Sequence, residues 1–325
     1  MTTVTPAEIE ARAFSALVAH GATEDNARPV ARAIARAEAE GNPVCGLFYL
    51  PIFCAHLRCG KVDGGAVPGV AAKGAVVSVD ARSGFAHPAI AAGTPPLIET
   101  ARRLGIASMP VRNSYNCLAL SHHVTPLAEA GLIGICMSNA PASVAPPGAR
   151  GRLFGTNPIA FAVPVADESP IVVDQSMSAV TKTEMILRKG RGEDIPPGWA
   201  QDRDGTPTTN PATGLDGSIL PAGGRKGANI ALLIEVLCAA LTGSSLSTAA
   251  SGFGDDTGGP PRVGQFLLAI DPVHYSAGEF TRIMSSLIGE HETMGLRLPG
   301  RSRVSSHEVQ VIPDLWQRVL SLSSG

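Results

Sequence analysis

The sequence predicts an α/β (mixed α+β) fold, on three observations. The first 60 or so residues carry helical signals throughout. From about residue 74 onward, strand-like runs mix with helical segments. No Gly-x-Gly-x-x-Gly turn stands between a strand and a helix, so a Rossmann dinucleotide site is not supported. The nearest stretch, Gly252-Phe253-Gly254-Asp255-Asp256-Thr257, lacks the third glycine.

Each element has a local reason. Thr5 can cap a helix, Pro6 suits its first position and Glu8 completes a capping box, with helical periodicity running to Leu17. A second helix is expected over residues 23–38, capped by Thr23. A third is expected over 47–59, stopped by Gly60. Strands are expected at 74–80, 106–112, 133–139, 159–165, 171–174 and 264–270. Helices are expected at 88–104, 121–130, 228–241, 279–287 and 313–320. Residues 196–227 read as a Gly/Pro-rich loop, and loops that long are usually functional.

Composition narrows the class. Of the 325 residues 44% are hydrophobic and 17% charged, which suits a folded chain with a large core. The 36 glycines and 26 prolines point to many tight turns. A net charge of -2 with no basic stripe argues against nucleic acid. No apolar run approaches the roughly 18 residues that span a bilayer. The opening MTTVTPAEIEARAF has acids where a secretory leader has bases. Cys45, Cys54, Cys59, Cys117, Cys136 and Cys238 match no zinc spacing, so reduced thiols in a cytoplasmic protein are expected, with no metal.

The motifs leave several readings open. Gly223-Gly224-Arg225-Lys226-Gly227 precedes an apolar helix; it reads equally as an anion site or as a plain turn with two solvated bases. Gly155-Thr156-Asn157-Pro158 reads as a polar turn, and Asp255-Asp256 as capping carboxylates. His122 and His123 read as a surface pair at a helix entry. Cys45 stands just before an expected helix, where a thiolate is stabilised, although a lone cysteine is commonly an inert small hydrophobe.

Taken together, several stretches resemble the type-2 malate/lactate dehydrogenase family. They are Ala37-Glu-Ala-Glu-Gly41, Gly46-Leu-Phe-Tyr-Leu-Pro51, Gly155-Thr-Asn-Pro-Ile-Ala160, Val173-Asp-Gln-Ser-Met-Ser-Ala179, Gly223-Gly-Arg-Lys-Gly227 and Leu298-Pro-Gly300. The resemblance runs from about residue 7 to 304. Trp199-Ala-Gln-Asp-Arg-Asp-Gly205 and the stretch from Gly252 to Phe266 look most like reductases of Δ1-piperideine-2-carboxylate and Δ1-pyrroline-2-carboxylate.

The resemblance implies a non-Rossmann NAD(P) fold, NADPH or NADH as cofactor, a small-molecule substrate and a homodimer. The implied division is a helical region, 1–72, packing with 225–325, and a mixed-sheet cofactor and substrate domain, 73–224. The implied cofactor residues are Asn116, Cys117, Leu118, Ala119 and Leu120, then Asp174, Gln175, Ser176, Met177 and Ser178. Arg225, Lys226, Gly300, Arg301 and Arg303 complete the set, and the charge of the arginines leans towards a 2′-phosphate. Thr156 is implied to face the substrate.

The catalytic positions depart from the family pattern. The pattern is Ser-His-Gly before Leu-Phe-Arg, with the histidine as proton donor and the arginine gripping the substrate carboxylate. Here Val44, Cys45 and Tyr49 stand at those positions, Asn116 at a second histidine, and Glu184 at the aspartate that orients the donor. Arg152 is the candidate replacement for the arginine, while Tyr49 and Tyr115 could hydrogen-bond or stack on a ring.

Reducing a ketone requires a proton at oxygen, and a positioned acid contributes roughly 10²–10⁴-fold. A cyclic imine can bind already protonated and then needs hydride alone. The sequence therefore favours NAD(P)H-dependent reduction of a C=N bond in a cyclic imine or ketimine, a natural-product intermediate being one such substrate. The alternative is a family paralogue that has lost hydride transfer, either a non-redox enzyme using Cys45 as nucleophile or a binding protein.

Overall fold

The computed structural model describes residues 1–300 and 305–324. The chain opens with β1 (Thr2–Val4), α1 (Pro6–Ala19), α2 (Glu24–Ala39) and α3 (Leu50–Cys59). It continues through β2 (Gly69–Lys73), β3 (Val76–Asp80), α4 (Ala86–Leu104), β4 (Ile106–Ser114), α5 (Ser121–Glu129) and β5 (Ile133–Ser138). Next come β6 (Ile159–Val163), β7 (Ile171–Gln175), α6 (Lys182–Arg191), β8 (Ala200–Gln201), β9 (Pro207–Thr208), α7 (Pro211–Asp216) and β10 (Ser218–Ile219). The chain closes with α8 (Arg225–Glu235), β11 (Val263–Ile270), α9 (Phe280–Thr293), β12 (Val309–Val311) and α10 (Pro313–Ser323).

The capping box forms at α1: Thr5 Oγ1 accepts from the Glu8 amide and Glu8 accepts from the Thr5 amide. The expected helix over 47–59 is divided. Residues 47–49 make a 3₁₀ turn before α3, because Leu47 N–H donates to the buried Glu38 carboxylate at 2.7 Å instead of continuing a helix. Gly60, at φ 77°, ends α3 in the left-handed conformation.

Seven strands form the central sheet in the order β2-β3-β4-β11-β5-β6-β7. The β3–β4 pairing is parallel and the others are antiparallel. Strand alternation feeds two cores. Leu267 and Ala269 of β11 join the layer under α4 and α5, while Phe266 faces the opposite layer with Ile234 and Met185.

The expected division at residue 224 therefore needs correction. β11 lies at the sheet's centre, between β4 and β5, because its residues pair with both. β2 also lies partly before the expected boundary at 73. Meanwhile β12 pairs with β1, and Trp316 and Val319 of α10 share a core with Ile9 and Leu17 of α1.

Three further features were not anticipated. The 196–227 stretch carries its own three-stranded sheet, β10-β8-β9, and α7. α6 was missed altogether. The expected helix over 228–241 starts earlier, as α8, and passes into a π-helical turn at Val236–Ala240. Gly264 of β11 packs against that turn: a Cβ there would lie 1.8 Å from the Cys238 carbonyl oxygen, so a side chain at this position has no room.

Candidate active site

A cleft of about 560 Å³ opens between the sheet and the N-terminal helical layer, within the roughly 300–1,000 Å³ range of ligand pockets. Two backbone segments form one side. In the first, Asn116 Oδ1 accepts from Leu118 N–H at 2.8 Å, and Leu118 takes a left-handed φ of 52°. In the second, Asp174 Oδ2 accepts from Ser121 N–H at 2.8 Å, tying the end of β7 to the start of α5. Asn116, Cys117, Leu118 and Ala119 line the cleft, as do Asp174, Gln175 and Ser176. Leu120 is buried in the core below, Met177 packs into the other core, and the Ser178 hydroxyl donates to Val180 O. These three do not line the cleft.

The opposite side comes from residues 42–52 and from the first turn of α6. Tyr49 Oη lies 3.3 Å from Thr183 Oγ1 and also hydrogen-bonds to Asn116. Burial pushes the Tyr49 phenol up, and the nearby Cys45 adds to this, against the hydrogen bonds from Thr183 and Asn116. Cys45 closes a 3₁₀ turn, Pro43–Cys45, rather than opening a helix. Burial, with the Asp174 charge, pushes its thiol up to about 12. So raised, the Cys45 thiol is disfavoured as a thiolate nucleophile. Thr156 also lines the cleft.

Several expected residues lie elsewhere. Arg152 donates through Nε to Gly217 O at 2.6 Å, and through Nη2 to Leu215 O and Asp216 O, so its guanidinium caps the end of α7. Tyr115 is buried at 1% exposure in the helical core, among Phe53, Phe85 and Phe253, and hydrogen-bonds to His56. It has no free face for a ring. Glu184 accepts from Arg188 Nε at 2.8 Å along the outer side of α6 and does not line the cleft. Arg225 and Lys226 stand exposed on the first turn of α8, outside the cleft. Gly300, at φ 86°, packs against Val172. Arg301 and Arg303 lie outside the described residues.

The histidine pair also differs from expectation. His122 bonds Glu40 at 3.2 Å, and the buried His123 Nε2 lies 3.0 Å from the Cys117 carbonyl oxygen. This is a packed junction beneath the cleft. Sequence reasoning missed Thr181, Lys182, Thr183 and Phe253 as lining residues. A usable signal was present for the first three: Thr181 and Glu184 have the spacing of a capping box, and Thr181 Oγ1 does accept from the Glu184 amide. That spacing marks a helix whose first turn carries Lys182. Among the described residues no group of three or more His, Cys, Asp or Glu could hold a metal ion.

With this geometry in hand, the chain's relatives are informative. The malate/L-lactate dehydrogenase family matches residues 4–308. The (2R)-3-sulfolactate dehydrogenase (NADP(+)) of Chromohalobacter salexigens is 43% identical over 91% of this chain and 89% of its own. The Δ(1)-pyrroline-2-carboxylate/Δ(1)-piperideine-2-carboxylate reductase of Pseudomonas putida is 39% identical over 89% of this chain and 86% of its own. The crystal structure of Δ1-piperideine-2-carboxylate reductase from Pseudomonas syringae superposes with a TM-score of 0.93 at 36% identity, covering 99% of this chain and 100% of that one. The chain belongs to the malate/L-lactate dehydrogenase family and is an oxidoreductase.

Proposed function

We propose that this protein is an NAD(P)H-dependent reductase of a cyclic imino acid, acting on a C=N bond. One observation carries the choice of bond. The position the family gives to its proton-donating histidine holds Cys45, whose thiol is pushed up to about 12, and beside it stand Asn116 and a phenol held in its neutral form. None of the three supplies a proton readily near neutral pH. An imine bound as its iminium needs none.

The cleft suits a nicotinamide cofactor. Its backbone side offers two fixed segments, with Asp174 locked on the α5 amide and Leu118 held in an uncommon conformation, as ligand-holding loops often are. Bound there, the cofactor supplies the hydride. The Tyr49–Thr183 hydroxyl pair orients the substrate from the other side, with Asn116 reaching Tyr49 from the backbone side, and Phe48, Ile52 and Phe253 exclude water. The NADP(+) of the Chromohalobacter salexigens relative supports NADPH over NADH.

A homodimer belongs to the same reading. α8 and the π turn after it expose Ile230, Leu233, Val236 and Leu241, an apolar face that a second copy would cover. Six free cysteines support a reducing, cytoplasmic setting, and no helix among the described residues is long and apolar enough to cross a membrane.

The 43% identity to the sulfolactate enzyme favours a second reading, interconversion of a sulfonated 2-hydroxy acid and its keto acid. That substrate carries two anionic groups and needs an acid at oxygen, whereas the described cleft lining has a single cation. The test compares NADPH oxidation with Δ1-piperideine-2-carboxylate against NADPH oxidation with 3-sulfopyruvate, the keto acid of sulfolactate. Imine turnover exceeding sulfopyruvate turnover by about a hundredfold in kcat/KM is expected, from the missing acid's contribution. The reverse order would overturn the imine reading.

A further inference from the structure

We propose that Lys182 is the residue that grips the substrate's carboxylate, in place of the arginine that Tyr49 has displaced. The proposal rests on the imino-acid reading above and names how that acid is held. Among the described residues lining the cleft, Lys182 is the sole Lys, Arg or His, and Asp174 the sole acid. Lys182 makes no ion pair and no hydrogen bond through its ammonium among the described residues, unlike Arg152 and Arg188, whose guanidiniums are committed to carbonyls and to Glu184. A cation at a cleft without a partner is a ready anion site.

Position supports the assignment. Lys182 is the first residue of α6, and both it and the cap residue Thr181 line the cleft, so the positive end of the helix opens on the same space. Thr183, the next residue, holds the Tyr49 hydroxyl, which sets Lys182 beside the vacated arginine position. Burial, then the charge of Arg152, lowers the Lys182 ammonium from the usual lysine range, with Asp255 pulling the other way. Ile186, one turn on, also lines the cleft and joins Phe48, Ile52 and Phe253 in an apolar wall. A ring carrying its charge at one edge, and apolar elsewhere, matches this layout.

The test uses pyrrole-2-carboxylate, a planar five-membered ring acid, and pyrrole-2-carboxamide, its neutral counterpart, titrated calorimetrically into the full-length protein. The variants are Lys182→Met and Lys182→Arg, each checked by thermal melting. The expected result is a loss of about tenfold or more in carboxylate affinity for Lys182→Met, with carboxamide affinity unchanged. Lys182→Arg should bind the carboxylate within about threefold of wild type and keep turnover. Arginine retains the charge and cannot donate its proton, so it separates gripping an anion from supplying an acid. Three outcomes would overturn the proposal: no carboxylate binding by the wild type, unchanged carboxylate affinity in Lys182→Met, or equal loss of both ligands. Unchanged affinity in a protein that still reduces imines would remove the grip and leave the reductase. Selective loss in a protein that reduces no imine would do the opposite.

Discussion

The two sides of the cleft are built from different materials. The side formed by residues 116–119 and 174–176 is held by main-chain geometry: a left-handed Leu118, an Asn116 side chain bonded to the backbone and a carboxylate locked on the α5 amide. The side formed by Cys45, Tyr49, Lys182 and Thr183 is built from side chains. Main-chain geometry tolerates few substitutions without strain, whereas side chains can be exchanged one at a time. The family resemblance puts its cofactor segments on the first side and, apart from Asn116, its expected catalytic substitutions, Cys45 and Tyr49, on the second.

The main-chain side rests on buried imidazoles, and acid should break it first. Burial, against the Cys117 carbonyl and reinforced by the His122 and Arg36 charges, lowers His123 to about 4, and burial lowers the neighbouring His87 as well. Unfolded histidine takes its proton near 6.5, so between 6.5 and 4 the unfolded state binds more protons. Stability is present above 6.5 and falls with pH across that window. For His123 alone the loss amounts to roughly 3 kcal/mol. Thermal melts from pH 7 to 4.5 should show this slope, and His123→Gln should flatten it. An equal slope in the variant would show that the junction beneath Cys117 is not the acid-sensitive element.

The side-chain side has its own anchor. Lys61, fully buried, donates to Gly252 O at 2.6 Å and Asp255 O at 2.9 Å, holding the loop that brings Phe253 and Gly254 to the cleft. Lys61→Met removes the donor to Gly252 O, while Asp255 O keeps its bond to His56 Nε2, and should cost about 1–3 kcal/mol in urea unfolding. It should raise the KM for imine while leaving NADPH affinity unchanged. A matching loss of NADPH affinity would mean that the two sides are not independent.

What could be read in the sequence follows the same division. The capping box at Thr5, the stop at Gly60 and the apolar run of β11 are local patterns, and each is visible within a few residues. The Asp174 motif likewise led to the main-chain side of the cleft, whereas the Gly223–Gly227 turn does not line it. The partners of Arg152 are 63 to 65 residues away, and that of Tyr115 is 59 away, so no spacing rule could show that both were already engaged. β11 was recognised as a strand but placed with the wrong half, because the sheet order that centres it is set by pairing with β4 and β5 and not by chain proximity. α6 was hidden among glycines and charges, although the Thr181–Glu184 spacing announced its start.

The smallest expected effect is also the most direct test of the central claim. Steady-state reduction of Δ1-piperideine-2-carboxylate by NADPH should be compared between wild type and Cys45→Ala across pH 6 to 9. If the substrate arrives already protonated, the variant keeps kcat within about threefold and the two pH profiles coincide. A fall in kcat of a hundredfold or more, the size expected for loss of a working acid, would contradict the account and make Cys45 the proton donor.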